Sequence, residues 1–187
     1  MTSSGATRNS PLANYFPPLT IGDLTYGFDH LNPFTFSFHS ELAKRTLSIH
    51  VTFSNHCFSK ACDPEASQAG EATIDAGARP RTFCPVRYRL SLDLPTIVAN
   101  LNQPHIKVWQ TAAQRNWAYS LRIENPEGPY HIFFEVRRAA PSKPQDLNLV
   151  VESAYHQTQA PPKLFGRMGF MLLCGKVYLR QPTATKR

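Results

Sequence analysis

No stretch of the 187 residues stays apolar for 18 positions or more, so no segment reads as a bilayer-spanning helix. The first ten residues, Met1 to Ser10, lack the apolar core of a secretory signal. The chain is therefore expected in the cytoplasm, with no membrane partner. Cysteine is scarce: four thiols in a chain of this size make no disulfide scaffold and suit a reducing compartment. No Cys-x-x-Cys pair occurs, which removes the commonest zinc signature. Internal repeats are absent. Acidic residues are missing altogether after Glu152, whereas Lys163, Arg167, Lys176, Arg180, Lys186 and Arg187 follow it. Residues 1–152 hold the other 14 basic and all 13 acidic side chains, so nearly all of the formal +7 charge sits at the C-terminal end. Charge of one sign attracts polyanions, and nucleic acid is the commonest of these in a cytosol.

What is present points to one globular domain. Hydrophobic residues make up 42% of the chain, close to the globular average, and the length suits one domain with an appended arm. Residues 1–18 are polar and proline-bearing and read as that arm. Residues 19–180 read as a single α+β domain. Its first part, 19–84, is β-rich: Phe34, Phe36 and Phe38 alternate with polar neighbours, as do Leu47, Ile49, Val51 and Phe53. Residues 59–82, rich in Ala, Gly, Pro and charge, read as a surface excursion. Within 85–180, Asp93 and Pro95 open a helix carrying Ile97, Val98 and Leu101. Four alternating segments follow, 105–110, 117–123, 130–137 and 147–155, joined by links too short for parallel crossovers. The expected fold is a helix followed by a four-stranded antiparallel meander, with an N-terminal β-rich extension. A short helix near 164–173 and a last strand over 176–180 complete it. Apolar residues interleave with the basic ones after Glu152, so that segment packs on the domain, and 181–187 reads as a basic tail.

One face of the meander gathers Trp117, Tyr119, Tyr130, Ile132, Phe134, Leu147, Leu149 and Val151 and predicts a core. The other carries Arg122, His131, Glu135, Asn148, Glu152 and His156. Antiparallel pairing is expected to set His131 opposite Glu152, which would cluster two histidines and two carboxylates. Such groups can pass protons at neutral pH. In a metal-free phosphodiester cleavage, His131, Glu135, Glu152 and His156 would serve as base and acid towards the ribose 2′-hydroxyl and the leaving oxygen. Arg87, Lys107 and Arg137, with Lys176 and Arg180 of the basic segment, would hold phosphate. The same face also reads as the solvated side of an ordinary sheet. Tyr88, Trp109, Trp117 and Tyr155 are candidates to stack bases where exposed, with Lys107 on the same face as Trp109. A separate cluster, His50, His56, Cys57 and Cys84, offers a zinc ligand set, although adjacent His56 and Cys57 on a strand would point apart.

The stretches 50–58, 83–88, 107–112, 115–119, 128–135 and 149–156, among them His50-Val51-Thr52-Phe53-Ser54-Asn55-His56-Cys57-Phe58 and Leu149-Val150-Val151-Glu152-Ser153-Ala154-Tyr155-His156, resemble the bacterial "stationary phase growth adaptation protein" family. More loosely, a helix before an antiparallel meander ending in Glu-Ser-Ala-Tyr-His is similar to the barnase–EndoU–colicin–RelE group of metal-independent ribonucleases. Together the residues and these resemblances imply an RNA-directed protein of bacterial growth control. The first expectation is a metal-independent endoribonuclease or toxin-like effector, with no cofactor and with room for an inhibitory protein partner. The alternatives are a non-catalytic RNA- or ribosome-binding stationary-phase regulator, or a zinc-binding protein.

Overall fold

The six alternating segments are strands in a computed structural model of the chain, which describes residues 15–62, 72–75, 78–112, 116–157 and 162–185. In chain order the elements are β1 (Leu19–Ile21), β2 (Leu24–Tyr26), β3 (Phe34–Ser40), β4 (Arg45–Phe53), β5 (Ser59–Ala61), β6 (Thr73–Asp75) and β7 (Arg81–Phe83). Two short helices follow, α1 (Pro85–Ser91) and α2 (Leu94–Ala99). Then come β8 (Lys107–Thr111), β9 (Asn116–Glu124), β10 (Glu127–Arg138), β11 (Leu147–His156), β12 (Leu164–Gly169) and α3 (Phe170–Tyr178). Most of the arm expected over 1–18 lies outside the described residues, as do 63–71 and 76–77 of the expected excursion and 186–187 of the tail.

The expected fold class is corrected by the sheet. The chain is mostly β, and its main sheet is curled and seven-stranded, in the order β12-β8-β9-β10-β11-β4-β3. The helix-plus-meander picture treats β11 as the last strand and the N-terminal strands as an extension. Instead β11 pairs in parallel with β4, Leu147 beside Ile49 and Leu149 beside Val51, so β3 and β4 extend the same sheet. The physical reason is that β4 and β11 carry matching apolar rows, and a common face lets Leu47, Ile49, Val51, Leu147, Leu149 and Val151 be buried together. Parts of the expected excursion form a second sheet, β5-β7-β6.

The last two elements exchange places with the expectation. Residues 164–169 are strand and 170–178 are helix. Gly166 and Gly169 weaken a helix over 164–169, and the open edge of β8 supplies an antiparallel partner for it. The helical spacing begins at Phe170 and continues through Leu173, Cys174 and Val177, of which the first three are buried. Phe170 is the pin: its ring centroid lies 6.5, 6.3 and 6.0 Å from those of Phe36, Phe38 and Phe134. A second aromatic group, with Phe28 4.2 Å from Phe58 and Tyr26 4.6 Å from Phe83 and 5.1 Å from Tyr88 of α1, joins α1 to the small sheet.

Candidate nucleic-acid interface

Cross-strand partners share a face, so the register sorts side chains without ambiguity. Opposite the core, one row runs from Arg167 on β12 to Trp109 on β8, Ala118 on β9, Phe133 on β10 and Ser153 on β11. A neighbouring row sets Ser120, His131 and Tyr155 side by side, and a third sets Asn116, Glu135 and Val150. Trp109, Phe133 and Tyr155 are half-buried, and Ala118 between Trp109 and Phe133 contributes only a methyl group. Phe133 and Tyr155 stack at 5.3 Å with planes 19° apart. Cations flank the rings: the Arg167 guanidinium lies 5.5 Å from the Trp109 ring centroid, and that of Arg87 lies 5.2 Å from Tyr155. Lys107 pairs with Gly169 on the same face.

The four proton-transfer candidates do not meet as one set, although Glu135 and Glu152 both lie by Asn116 and Arg137. His131 faces Tyr155, not Glu152, because Glu152 is the extra residue of a bulge between the Phe133–Ser153 and Phe134–Val151 pairs. That residue shifts the parity of the end of β11, so His156 pairs with Tyr130 on the core face while His131 stays on the opposite one. His131 is 5% exposed and both of its nitrogens are occupied. Nε2 donates to Gln157 Oε1 at 2.7 Å, which leaves Nδ1 to accept from the Ser120 hydroxyl at 2.7 Å. Glu135, 7% exposed, accepts from Arg137 Nη2 at 2.6 Å. Glu152 accepts from Asn116 Nδ2. His156 Nε2 donates to the Glu127 carbonyl at 2.9 Å, an approach that needs glycine at 128: a Cβ there would lie 2.8 Å from that nitrogen, and φ is +138°. Each of the four groups has at least one fixed hydrogen-bond partner, and none of these bonds joins one of the four to another.

The phosphate candidates divide. Arg87 Nη1 donates to the carbonyls of His56 at 3.1 Å and Ser59 at 2.7 Å, and burial lowers its pKa. Lys107 is exposed at the start of β8, and Arg137 is exposed but paired with Glu135, whose hydrogen bond and charge raise its pKa. Lys176 sits on α3, with Nζ donating to the Pro182 carbonyl at 3.0 Å, and Arg180 follows the end of that helix. Neither reaches the aromatic row.

The four zinc candidates do not form a ligand set, although the Cys84 N–H bonds the Phe58 carbonyl at 3.0 Å beside His56 and Cys57. His50 Nδ1 bonds Thr35 Oγ1 at 3.2 Å on the sheet face, and Cys57 Sγ is buried against the Val151 carbonyl. Burial pushes the Cys57 thiol up to about 12, which disfavours the thiolate a metal requires. Burial, with Arg81 and Arg87 nearby, lowers the pKa of His56. Cys84 ends β7's run into α1. Among the described residues no three His, Cys, Asp or Glu side chains form a metal-holding group.

Of the stacking candidates, Trp117 is 2% exposed in the core, and Tyr88 packs there with its hydroxyl donating to the Gly27 carbonyl at 3.0 Å. Trp109 and Tyr155 lie on the open face. Sequence reasoning missed Phe133 and Arg167. The signal for Phe133 was an apolar residue between His131 and Glu135 on the polar phase of β10. Arg167 was hidden by reading its segment as helix.

No curated protein and no solved structure matches the chain. One family's model matches, over residues 18–178, nearly the whole described fold. It replaces both resemblances drawn from the sequence, since it is the model neither of the stationary phase growth adaptation family nor of the ribonuclease group. On that match, the chain belongs to the YjaZ family.

Proposed function

We propose that the chain binds single-stranded RNA on the face of the sheet opposite the core, and binds it without cutting it. The observation that carries this reading is the row Arg167, Trp109, Ala118, Phe133, with Tyr155 stacked on Phe133 and Arg87 beyond it. Trp109, Phe133 and Tyr155 are each only half-buried, so their exposed ring surfaces are the places where bases can stack, along a row in which Ala118 is itself covered. Stacking on such rings takes any base, and the guanidinium groups and Lys107 at the margins suit the phosphates between stacked bases. The absence of chemistry in this reading rests on His131, Glu135, Glu152 and His156 being bound to fixed neighbours and divided between two faces.

The test uses the two tryptophans, of which Trp117 is buried. Titration with an oligouridylate should quench Trp109 fluorescence, with an affinity that falls as salt rises. Trp109→Ala, read by gel shift, should cost about 1–3 kcal/mol, the worth of one stacked base. RNA labelled and incubated in excess chelator should stay whole. Unchanged fluorescence at saturating RNA would reject the interface, and fragments with 2′,3′-cyclic phosphate ends would reject its non-catalytic character.

A further inference from the structure

A cavity of about 180 Å³ opens at the far end of the β10–β11 hairpin, and its charge is one-sided. Arg138, Lys143 and Arg180 line it with Asp146 and Tyr178. The Arg138 guanidinium lies 4.9 Å from the Tyr178 ring centroid, and Arg45 lies 5.2 Å from the same ring while donating to its hydroxyl at 2.8 Å. The one carboxylate present is already engaged: Asp146 pairs with Arg45 at 3.3 Å and accepts from the Ser48 N–H at 2.9 Å. Among the described residues no acidic side chain pairs with Arg138, Lys143 or Arg180. Three exposed cations border one hollow without a carboxylate of their own, which gives it a positive potential that favours an anion.

Two features show that the hollow is held open. The loop 139–146 is pinned by Ala139 N–H to the Asp146 carbonyl at 2.9 Å, Lys143 N–H to the Ala140 carbonyl at 3.0 Å and Asp146 N–H to the Ser48 carbonyl at 2.9 Å. Arg180 closes α3 in the left-handed conformation, φ +57°, where its N–H bonds the Val177 carbonyl and the next N–H bonds that of Lys176. That helix ending favours glycine, and a long cationic side chain there is kept at a conformational cost.

We propose that this cavity binds a terminal phosphate group, one carrying two negative charges. Its volume lies below the range of pockets that enclose whole nucleosides, which suits an anionic group better than an entire nucleotide. Such a group exists free, as inorganic diphosphate, or at the 5′ end of an RNA. In the second case the site rests on the RNA reading, with the 5′ end carried round the sheet margin, since Arg138 lies on the core side of β10 and Arg137 beside it on the stacking face.

Calorimetric titration of the full chain separates the sources. Diphosphate should bind saturably, or a 5′-phosphorylated oligouridylate should bind more tightly than its 5′-hydroxyl twin. Either preference should weaken about tenfold in Lys143→Ala and in Arg180→Gly, return towards the parent in Arg138→Lys relative to Arg138→Ala, and be unmoved in Arg122→Ala. Arg180→Gly should also raise Tm, since φ is +57° there, and a Tm at or above the parent's separates a loss of binding from a loss of fold. Binding of diphosphate alone supports the site and leaves the RNA reading to fail by itself. Equal binding of the two oligonucleotides together with no diphosphate binding overturns the site and leaves the stacking face standing. Equal weakening by Arg122→Ala overturns it in favour of general charge attraction.

Discussion

Tyr130 takes its hydroxyl into the core, 1% exposed, and among the described residues nothing bonds it. Burial, with the neighbouring Cys57 sulfur, raises the pKa of that phenol, so it stays protonated at any working pH. An unsatisfied buried hydroxyl costs stability, and Tyr130→Phe should leave the protein as stable or gain about 1 kcal/mol in a urea titration. A clear loss would show that the oxygen has a partner. Two histidines tune the acid side. Burial lowers the pKa of His30 against Asp29, and burial with Arg81 and Arg87 lowers that of His56 against Asp75. Each is neutral when folded and takes its proton more readily when unfolded, from near pH 6.5 downward. Their contribution is whole above that pH and is lost as pH falls through it towards the lowered native values. Tm should therefore drop between pH 7 and 5, and His56→Gln should flatten part of the drop; an unaltered slope would reject the assignment. At this scale the sequence showed which residues are polar but not where they point. One inserted residue, Glu152, reverses the parity of Tyr155 and His156, and period-two alternation carries no mark of such an insertion.

Among the elements, α3 does most to fasten the curled sheet. Phe170 is fully buried against rings from β3 and β10, so Phe170→Ala should cost about 3–5 kcal/mol through lost burial and an unfilled cavity, measured by denaturant midpoint. A cost under about 1 kcal/mol would mean that the contact is looser than its geometry. The strands β3, β4, β8, β9, β10 and β11 were legible because each alternates over five residues or more. The exchange of helix and strand after residue 164 was not, since Leu164, Phe165 and Met168 fit either period and the open edge of β8 decides between them. α1 also passed unread: Pro85 suits a first helical position, but seven residues are too few to show periodicity.

Across the whole molecule, the charge asymmetry visible in composition splits in two. Arg167 joins the stacking face on β12, while Arg180 serves the cavity at the end of α3. Sequence could count those cations but could not divide them, because the division follows from strand order. The same holds for the parallel pairing of β4 with β11, which nothing local announces. A fragment of residues 85–187 lacks β3 and β4 and exposes the apolar row of β11, so it should give a poorly dispersed amide spectrum and bind a hydrophobic dye. A well-dispersed spectrum would show that the pairing is dispensable.

That pairing also sets a schedule for biosynthesis. Ser48 and Asp146, bonded to each other at its start, stand 98 positions apart. A nascent chain that has already made β4 has only the β3 hairpin to offer it, and its other edge stays bare until β11 has been added. The main sheet in this sense waits on β11, and the interval before that strand is made is when β4 is most open to capture by another strand or by a chaperone.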